Sequence, residues 1–459
     1  MPGTSSNQPD NEPGRAAAPA ADPPAERRVR ITNTYATPWQ VTDKSTGGQL
    51  PDYLRMWRFE RYYRLSADQL PHVLAREPVD IGALTFKRWQ NAAWLTGARV
   101  WLFRMPSGQL VAALSLDVRC EPAETIDLLE DCYFGDVQIG DATAEAYLHG
   151  MAVQLGAADG CEHSFLPERH QIVFDEKPAP DDCDDMVQRM IYRTDLPYRK
   201  EYSAIRYPAE LNRRPGWLAG VGPYVSVICG HPDFIENAVF ASAVQAVAAA
   251  AQLRAIRQAA YADVRLFREL EAAGGTTRER RRTLERIADQ LGDLELELSY
   301  SVEASADLGL LVPSLRVENF HNTLYESMSL ASKAVTAGRM LQRLDSAISA
   351  ELTAIESIER RADENRRIRY AVAVGFVSAV AIPASLILAY LGINASQVNP
   401  NRSMFDHHYV GMYLIVAAVI LLGVVLSVGV YAQQRRTAAP RRSRNERPRW
   451  ALSADEEGP

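Results

Sequence analysis

Tyr370–Leu391 reads YAVAVGFVSAVAIPASLILAYL, 22 consecutive residues without an ionised side chain. As a helix this stretch is about 33 Å long, at about 1.5 Å per residue, and so spans a hydrocarbon core of about 30 Å. Val410–Tyr431, VGMYLIVAAVILLGVVLSVGVY, is a second stretch of the same kind. A core helix of a soluble domain seldom stays uncharged for so long, and two in succession predict transmembrane helices at 370–391 and 410–431.

The flanking charges predict an orientation. Arg360, Arg361, Arg366, Arg367 and Arg369 precede the first span, and Arg435, Arg436, Arg441, Arg442 and Arg444 follow the second. The loop between the spans, residues 392–409, carries only Arg402. Arginine is retained on the cytoplasmic side, so both termini are expected in the cytosol and the loop outside. The first span holds Gly375, Ser378, Pro383 and Ser385, whereas the second is nearly all aliphatic. Small and polar residues favour helix contacts or a wet lumen, and aliphatic ones favour lipid. One thin hairpin cannot enclose a pore, so this division implies a homo-oligomer.

Upstream lies a helical region. Leu341, Leu344, Ile348, Leu352, Ile355 and Ile358 form a stripe at three- and four-residue spacing that calls for a partner helix, in the same subunit or in a neighbour. Pro313 marks the start of this stalk, read as one helix over 313–369. Residues 233–306 are rich in Ala, Leu, Arg and Glu and break at Gly274-Gly275, which predicts an antiparallel helical pair. Residues 31–232 have the texture of an α/β domain. Val100–Phe103 and Leu110–Leu116 flank Pro106-Ser107-Gly108 as a hairpin, and Gln171–Phe174, Met190–Arg193 and Tyr224–Cys229 are further strand candidates. Ala123–Glu130 and Asp141–Leu155 read as helices between them. Residues 1–30, rich in Pro, Ala, Ser and Asp, bury too little to offset chain entropy and are expected to be disordered. Residues 432–459 read as a basic cytosolic tail at the membrane surface.

Composition removes several function classes. The 459 residues carry a formal net charge of −7, which argues against a dedicated nucleic-acid binder. The five cysteines contain no C-x-x-C pair and suit a reducing compartment rather than a disulfide framework or a zinc ribbon. A glycine-rich phosphate loop, a nucleophile elbow and a paired-carboxylate motif are all missing from the sequence, so an enzymatic role gains no support.

The first span ends in Tyr390-Leu391-Gly392-Ile393-Asn394, with Pro383 nine residues before Gly392. Together with the C-terminal pair of spans, the long preceding helix and the basic tail, this resembles the CorA-type divalent cation transporters. Their signature at this place is Gly-Met-Asn after a proline at the same distance. The detailed resemblance covers about residues 313–436, and over 31–232 only the broad architecture is similar. What it implies is a funnel-shaped homopentamer with the first span lining the pore. Five copies of Asn394 ring the outer entrance, beside Gly392 and Ile393. Ser385 matches a hydroxyl position that supplies a second polar ring, and Ile382 matches an apolar gate. Amide and carbonyl oxygens suit Mg²⁺, which sheds its water reluctantly and can be held through it. The arginines at 360–369 match a basic collar at the cytosolic mouth of the pore.

The sequence also departs from the family. Ile393 stands where the family has Met, and the loop carries a single acid, Asp406, followed by His407 and His408. The Gly-Ile-Asn form resembles the zinc-transporting branch, and the two histidines are weak candidates for a softer metal such as Zn²⁺. Two further groups, Asp181-Asp182-Cys183-Asp184-Asp185 and Cys161-Glu162-His163 with His170, read better as a solvated loop and as structural side chains than as metal sites.

The expected fold class is therefore an α+β membrane protein. It has a cytosolic α/β domain, long coiled-coil-like stalk helices and a two-helix transmembrane hairpin, in the cytoplasmic membrane. The expected function is passive movement of Mg²⁺, or of Zn²⁺, Co²⁺ or Ni²⁺, through a homo-oligomeric pore. The divalent cation is the transported ion and a candidate regulator, with no other cofactor, and the partners are further copies of the chain and the lipid bilayer. The divergent N-terminal domain and the acid-poor loop motivate an alternative, a non-conducting, membrane-anchored oligomeric sensor or interaction protein.

Overall fold

The computed structural model describes residues 27–41, 70–158, 163–179, 183–194, 196, 199–273, 276–303, 314–393, 407 and 410–437. The chain divides into two compact units, residues 1–349 and 350–459. The fold is mixed α/β, with one large sheet and several long helices.

In the first unit the elements run β1 (Arg28–Gln40), β2 (His72–Pro78), β3 (Leu84–Phe86), β4 (Leu95–Arg104) and β5 (Gln109–Arg119). Helix α1 (Ile126–Phe134), strands β6 (Val137–Ile139) and β7 (Ala142–Thr143), helix α2 (Ala144–Gln154), β8 (Arg169–Asp175) and α3 (Asp184–Tyr192) follow. Strands β9 (Leu218–Val221) and β10 (Val225–Cys229) complete the sheet before the long α4 (Asp233–Ala273). Then come α5 (Thr277–Glu297) with a π-helical turn at Leu298–Glu303, and α6 (Leu315–Ser327). Helix α7 (Leu330–Ile393) runs through the boundary between the two units, and α8 (Val410–Thr437) lies in the second.

Seven strands form the main sheet in the order β2-β4-β5-β1-β8-β10-β9. Every pairing is antiparallel except β8 with β10. The period of two sorts each strand between two apolar layers. Val29, Ile31 and Tyr35 of β1, Leu110 to Val118 at even positions of β5, and Val100 and Leu102 of β4 share one core with Leu128 and Leu129 of α1, Leu148 of α2 and Val187 of α3. The opposite face meets α4: Trp101 and Phe103 pack edge-on against Phe240, and Ala36 packs with Val247 and Ala251. Strand β5 is thus covered on both sides, which is why its sequence is a nearly continuous apolar run.

Charge fixes the start of α4 against the sheet. Arg30 donates to Asp117 of β5 at 2.7 Å and to Glu236 in the first turn of α4 at 2.5 Å. On the other face a buried amide network links strands to α1. Gln171 donates to Asn33 at 2.6 Å and to the Leu129 carbonyl at 2.8 Å, and Asn33 donates to the Leu114 carbonyl. Satisfied groups of this kind fix strand register at little cost.

Several expectations are corrected. Strand β1 begins at Arg28, so residues 28–30 belong to the central sheet rather than to a disordered segment, held there by the Arg30 ion pairs. Met190–Arg193 is not a strand. It lies in the last turn of α3 and its left-handed cap Arg193, because Val187, Met190 and Ile191 form a helical stripe that packs on the sheet. The stalk is not one helix. It begins at Leu315 and breaks at Met328-Ser329, where Ser329 takes φ +57°. Helix α7 covers the expected first span through Leu391 and reaches Ile393, the last described residue before 407.

Among the described residues one helix is long and apolar enough to cross a membrane by length and composition, Asp233–Leu270, and 83% of its apolar window is buried inside the protein. That segment is the core helix α4, covered by the sheet and by α6. Tyr413–Val425 is a shorter apolar helix.

Of the apolar stripe along α7, Leu341, Leu344, Ile348 and Ile355 are buried within this single chain, whereas Ile358 is exposed.

Candidate functional site

The residues expected to line a pore fall in the last turns of α7. Ile382, Ser385 and Ile393 stand at separations of three and eleven residues, and Ser385 and Gly392 at seven, so the backbone places them along one helical face. Pro383 sits inside the helix and has no N–H to give the carbonyl one turn back. The Ser385 hydroxyl donates to the Ile382 carbonyl at 2.9 Å, within the same turn as the proline. Ile382 and Ser385 are both exposed in the single chain. Asn394, Asp406 and His408 lie outside the described residues; His407 is exposed in a short 3₁₀ turn.

The other sequence candidates separate from one another. Asp184 and Asp185 open α3, where Asp185 pairs with Arg189 at 2.7 Å, and Cys183 precedes them; Asp181 and Asp182 lie outside the described residues. His163 Nδ1 lies 2.9 Å from His149 Nδ1, while Cys161 and Glu162 are outside the described residues. His170 is buried in β8 against the Ser226 hydroxyl at 2.9 Å, and burial pushes its pKa down to about 4. Among the described residues no group of three or more His, Cys, Asp or Glu side chains converges on a metal-sized site.

A second feature, which the sequence did not reveal, is a cavity of about 670 Å³ inside the first unit. Its wall is assembled from the end of α1 (Tyr133), the start of β8 (Glu168, Arg169), the turn before β10 (Tyr224), one side of α4 (Arg254, Arg257, Tyr261) and the break between α6 and α7 (Ser327, Ser329, Lys333). Arg169 is held by its donation to the Tyr133 carbonyl and lies over the Tyr133 ring at 5.2 Å. Behind it, Arg193 stacks on the same ring at 3.5 Å and donates to Gln171 at 3.3 Å. Burial pushes the Arg193 pKa down, Tyr133 and Tyr224 oppose that shift, and Arg169 reinforces it by repulsion. Arg254 pairs with Glu168 at 2.5 Å, and Lys333 caps the Met328 carbonyl at 2.9 Å. The wall therefore carries four cations and one carboxylate.

No single stretch of sequence announces this arrangement, because its residues come from separated segments. The one local signal is the Arg254, Arg257 and Tyr261 spacing of three and four, which puts two cations and a phenol on one face of α4.

Compared with known proteins, the chain matches no family model, no curated protein and no solved structure. The resemblance to CorA-type transporters accordingly rests on the residues of the C-terminal segment alone.

Proposed function

We propose that this chain is a membrane-embedded, homo-oligomeric conductor of divalent cations, similar in its C-terminal segment to CorA-type transporters. The observation that carries this reading is an uncharged helical segment whose candidate pore residues share one face. Residues 370–391 hold no ionised side chain, yet Ile382, Ser385, Gly392 and Ile393 fall on one face of α7 and lead to Asn394.

The exposed apolar surface supports a bilayer setting. Tyr370, Val374 and Val377 of α7 are 73%, 64% and 62% exposed, and Leu414, Ile415 and Leu421 of α8 are exposed to a similar degree. A water-soluble monomer seldom leaves so many large apolar side chains uncovered. Lipid covers it at no cost in unsatisfied backbone, because both segments are helical.

In this reading the first span of each subunit lines the pore and the aliphatic second span faces lipid. Asn394 amides and nearby carbonyls accept hydrogen bonds from the hydrated ion, so Mg²⁺ passes without complete dehydration. Ile382 narrows the path as an apolar ring, and the Ser385 hydroxyl adds a polar one. The driving force is the membrane potential, which gives a divalent ion about 4.6 kcal/mol across 100 mV. Arg360–Arg369 then sit at the cytosolic mouth. Mg²⁺ is the first ion to test, with Zn²⁺, Co²⁺ and Ni²⁺ beside it.

A membrane-anchored sensor is the second reading. It is favoured by the acid-poor loop and by the ligand-sized cavity in the first unit. Dye-loaded proteoliposomes separate the two: the conductor gives potential-driven divalent influx, and the anchor gives the leak of empty vesicles. Labelling of Asn401→Cys from outside intact cells checks the expected topology.

A further inference from the structure

We infer that the cavity between α1, β8, α4 and the α6–α7 break is a binding site for a nucleoside phosphate or a closely similar anion that joins phosphate to a planar ring. The inference stands on the first unit alone and holds whether or not the chain conducts ions.

The charge of the wall comes first. Arg169, Arg257 and Lys333 have no carboxylate partner among the described residues, and the wall's one carboxylate, Glu168, is already taken by Arg254. Arg193 adds a fifth cation behind Tyr133, again without a carboxylate partner among the described residues. Cations gathered in one concave place repel one another until an anion joins them. Guanidiniums are suited to phosphate oxygens, which they bind in a fork, and Lys333 adds a point charge.

Ring-shaped contact surface comes second. Tyr224 and Tyr261 both line the cavity and are 48% and 58% exposed, with Tyr224 set edge-on to Tyr133 at 5.8 Å. Half-exposed tyrosines beside arginines that lack a carboxylate partner among the described residues form a stacking platform next to an anion site. At about 670 Å³ the cavity falls within the usual range of small-ligand sites.

Backbone strain at the same wall is the third observation. Ser329 takes a left-handed φ of +57° at the break that carries Lys333. A non-glycine residue held in this way costs free energy, and such positions concentrate at ligand sites. The Ser327 hydroxyl on the same break has no hydrogen-bond partner among the described residues. Ligand contact here would act on the junction between α6 and α7.

The test uses the full chain in lipid nanodiscs, with ATP, GTP, inorganic pyrophosphate and short-chain phosphatidylinositol phosphate as calorimetric probes. A nucleotide is expected to bind, with affinity falling as salt rises. Arg257→Glu with Lys333→Glu is expected to weaken that binding at least about tenfold, and Arg257→Lys to restore most of it at that position. Tyr224→Ala is expected to weaken the nucleotide but leave pyrophosphate unchanged. Arg257 and Lys333 are exposed, so these changes leave the core intact, and an unchanged melting temperature checks this. Binding of the lipid headgroup in preference to nucleotides, equal binding by the charge-reversed protein, or no binding of any probe to the folded protein overturns the inference.

Discussion

Arg30 and Glu236 meet at 2.5 Å across 206 residues of chain, joining the central strand β1 to the first turn of α4. Asp117 shares the same guanidinium at 2.7 Å. This arginine therefore bridges two nearly buried carboxylates on the α4 face of the sheet, and Arg28 and Arg99 also reach Asp117, at 3.3 and 3.7 Å. Arg30→Ala is expected to cost on the order of 3 kcal/mol, because both carboxylates lose a partner in a poorly solvated place. Arg30→Met combined with Glu236→Gln is expected to recover much of that loss. Denaturant melts of wild type and the two variants check this, and a double variant no more stable than Arg30→Ala contradicts it.

Strand β9 lies close under α3. A Cβ added at Gly220 meets Val187 Cγ1 at 2.7 Å, and one added at Gly222 runs into Ile191. Both partners are buried and β-branched, so they have little room to rotate. Gly222→Ala is expected to destabilise by about 1–3 kcal/mol through overpacking. Ile191→Ala opens that space and is expected to reduce the added cost of Gly222→Ala in a double-mutant cycle. Equal costs in both backgrounds contradict the packing account.

Ser329 carries its strain without a glycine. Ser329→Gly is expected to be neutral or stabilising by up to about 1 kcal/mol, and Ser329→Val to destabilise by a similar amount or more. Thermal melts of the two variants give the sign directly. A stabilising valine rules out the left-handed backbone at this junction.

Burial pushes the pKa of His170 down to about 4, and that of His231, held on the Leu211 carbonyl, to about 4 as well. Their folded values lie below the ordinary one of about 6.5. Their stabilising contribution is therefore complete above pH 6.5 and is lost as pH falls through 4. Glu236 has the opposite sign. Burial raises its pKa to about 7 against the pull of Arg30, so its contribution is lost as pH rises toward 7. His170→Gln isolates one histidine: between pH 7 and 4 the wild type is expected to lose about 3 kcal/mol relative to the variant. A pH-independent difference contradicts a neutral buried His170.

Much of the first unit is legible in sequence where periodicity is strong. The β4–β5 hairpin follows from two apolar runs around Pro106-Ser107-Gly108, and it closes there with Gly108 at φ +85°. Strand β1 is harder to see. Its apolar positions Val29, Ile31 and Tyr35 alternate with Arg30, Thr32 and Thr34, and it follows a Pro- and Ala-rich stretch. The partners that hold Arg30 lie 87 and 206 residues away, so local composition cannot supply them. Met190–Arg193 misleads because three apolar residues in a row, Met190-Ile191-Tyr192, have no clear period. The basic cavity is invisible for the same reason as the Arg30 network: contacts distant in sequence create it. The candidate pore face is the reverse case, since Ile382, Ser385 and Gly392 share one helix and their spacing alone aligns them.

The central claim is conduction through a pore with Asn394 at its entrance. Divalent-cation influx into proteoliposomes under an inside-negative potential tests it most directly, with Mg²⁺, Zn²⁺, Co²⁺ and Ni²⁺ compared for wild type and Asn394→Ala. The account predicts potential-dependent influx of at least one of these ions and a sharp change in its rate or selectivity in the variant. Influx of every ion at the level of empty liposomes, from protein shown to be a folded oligomer, contradicts it.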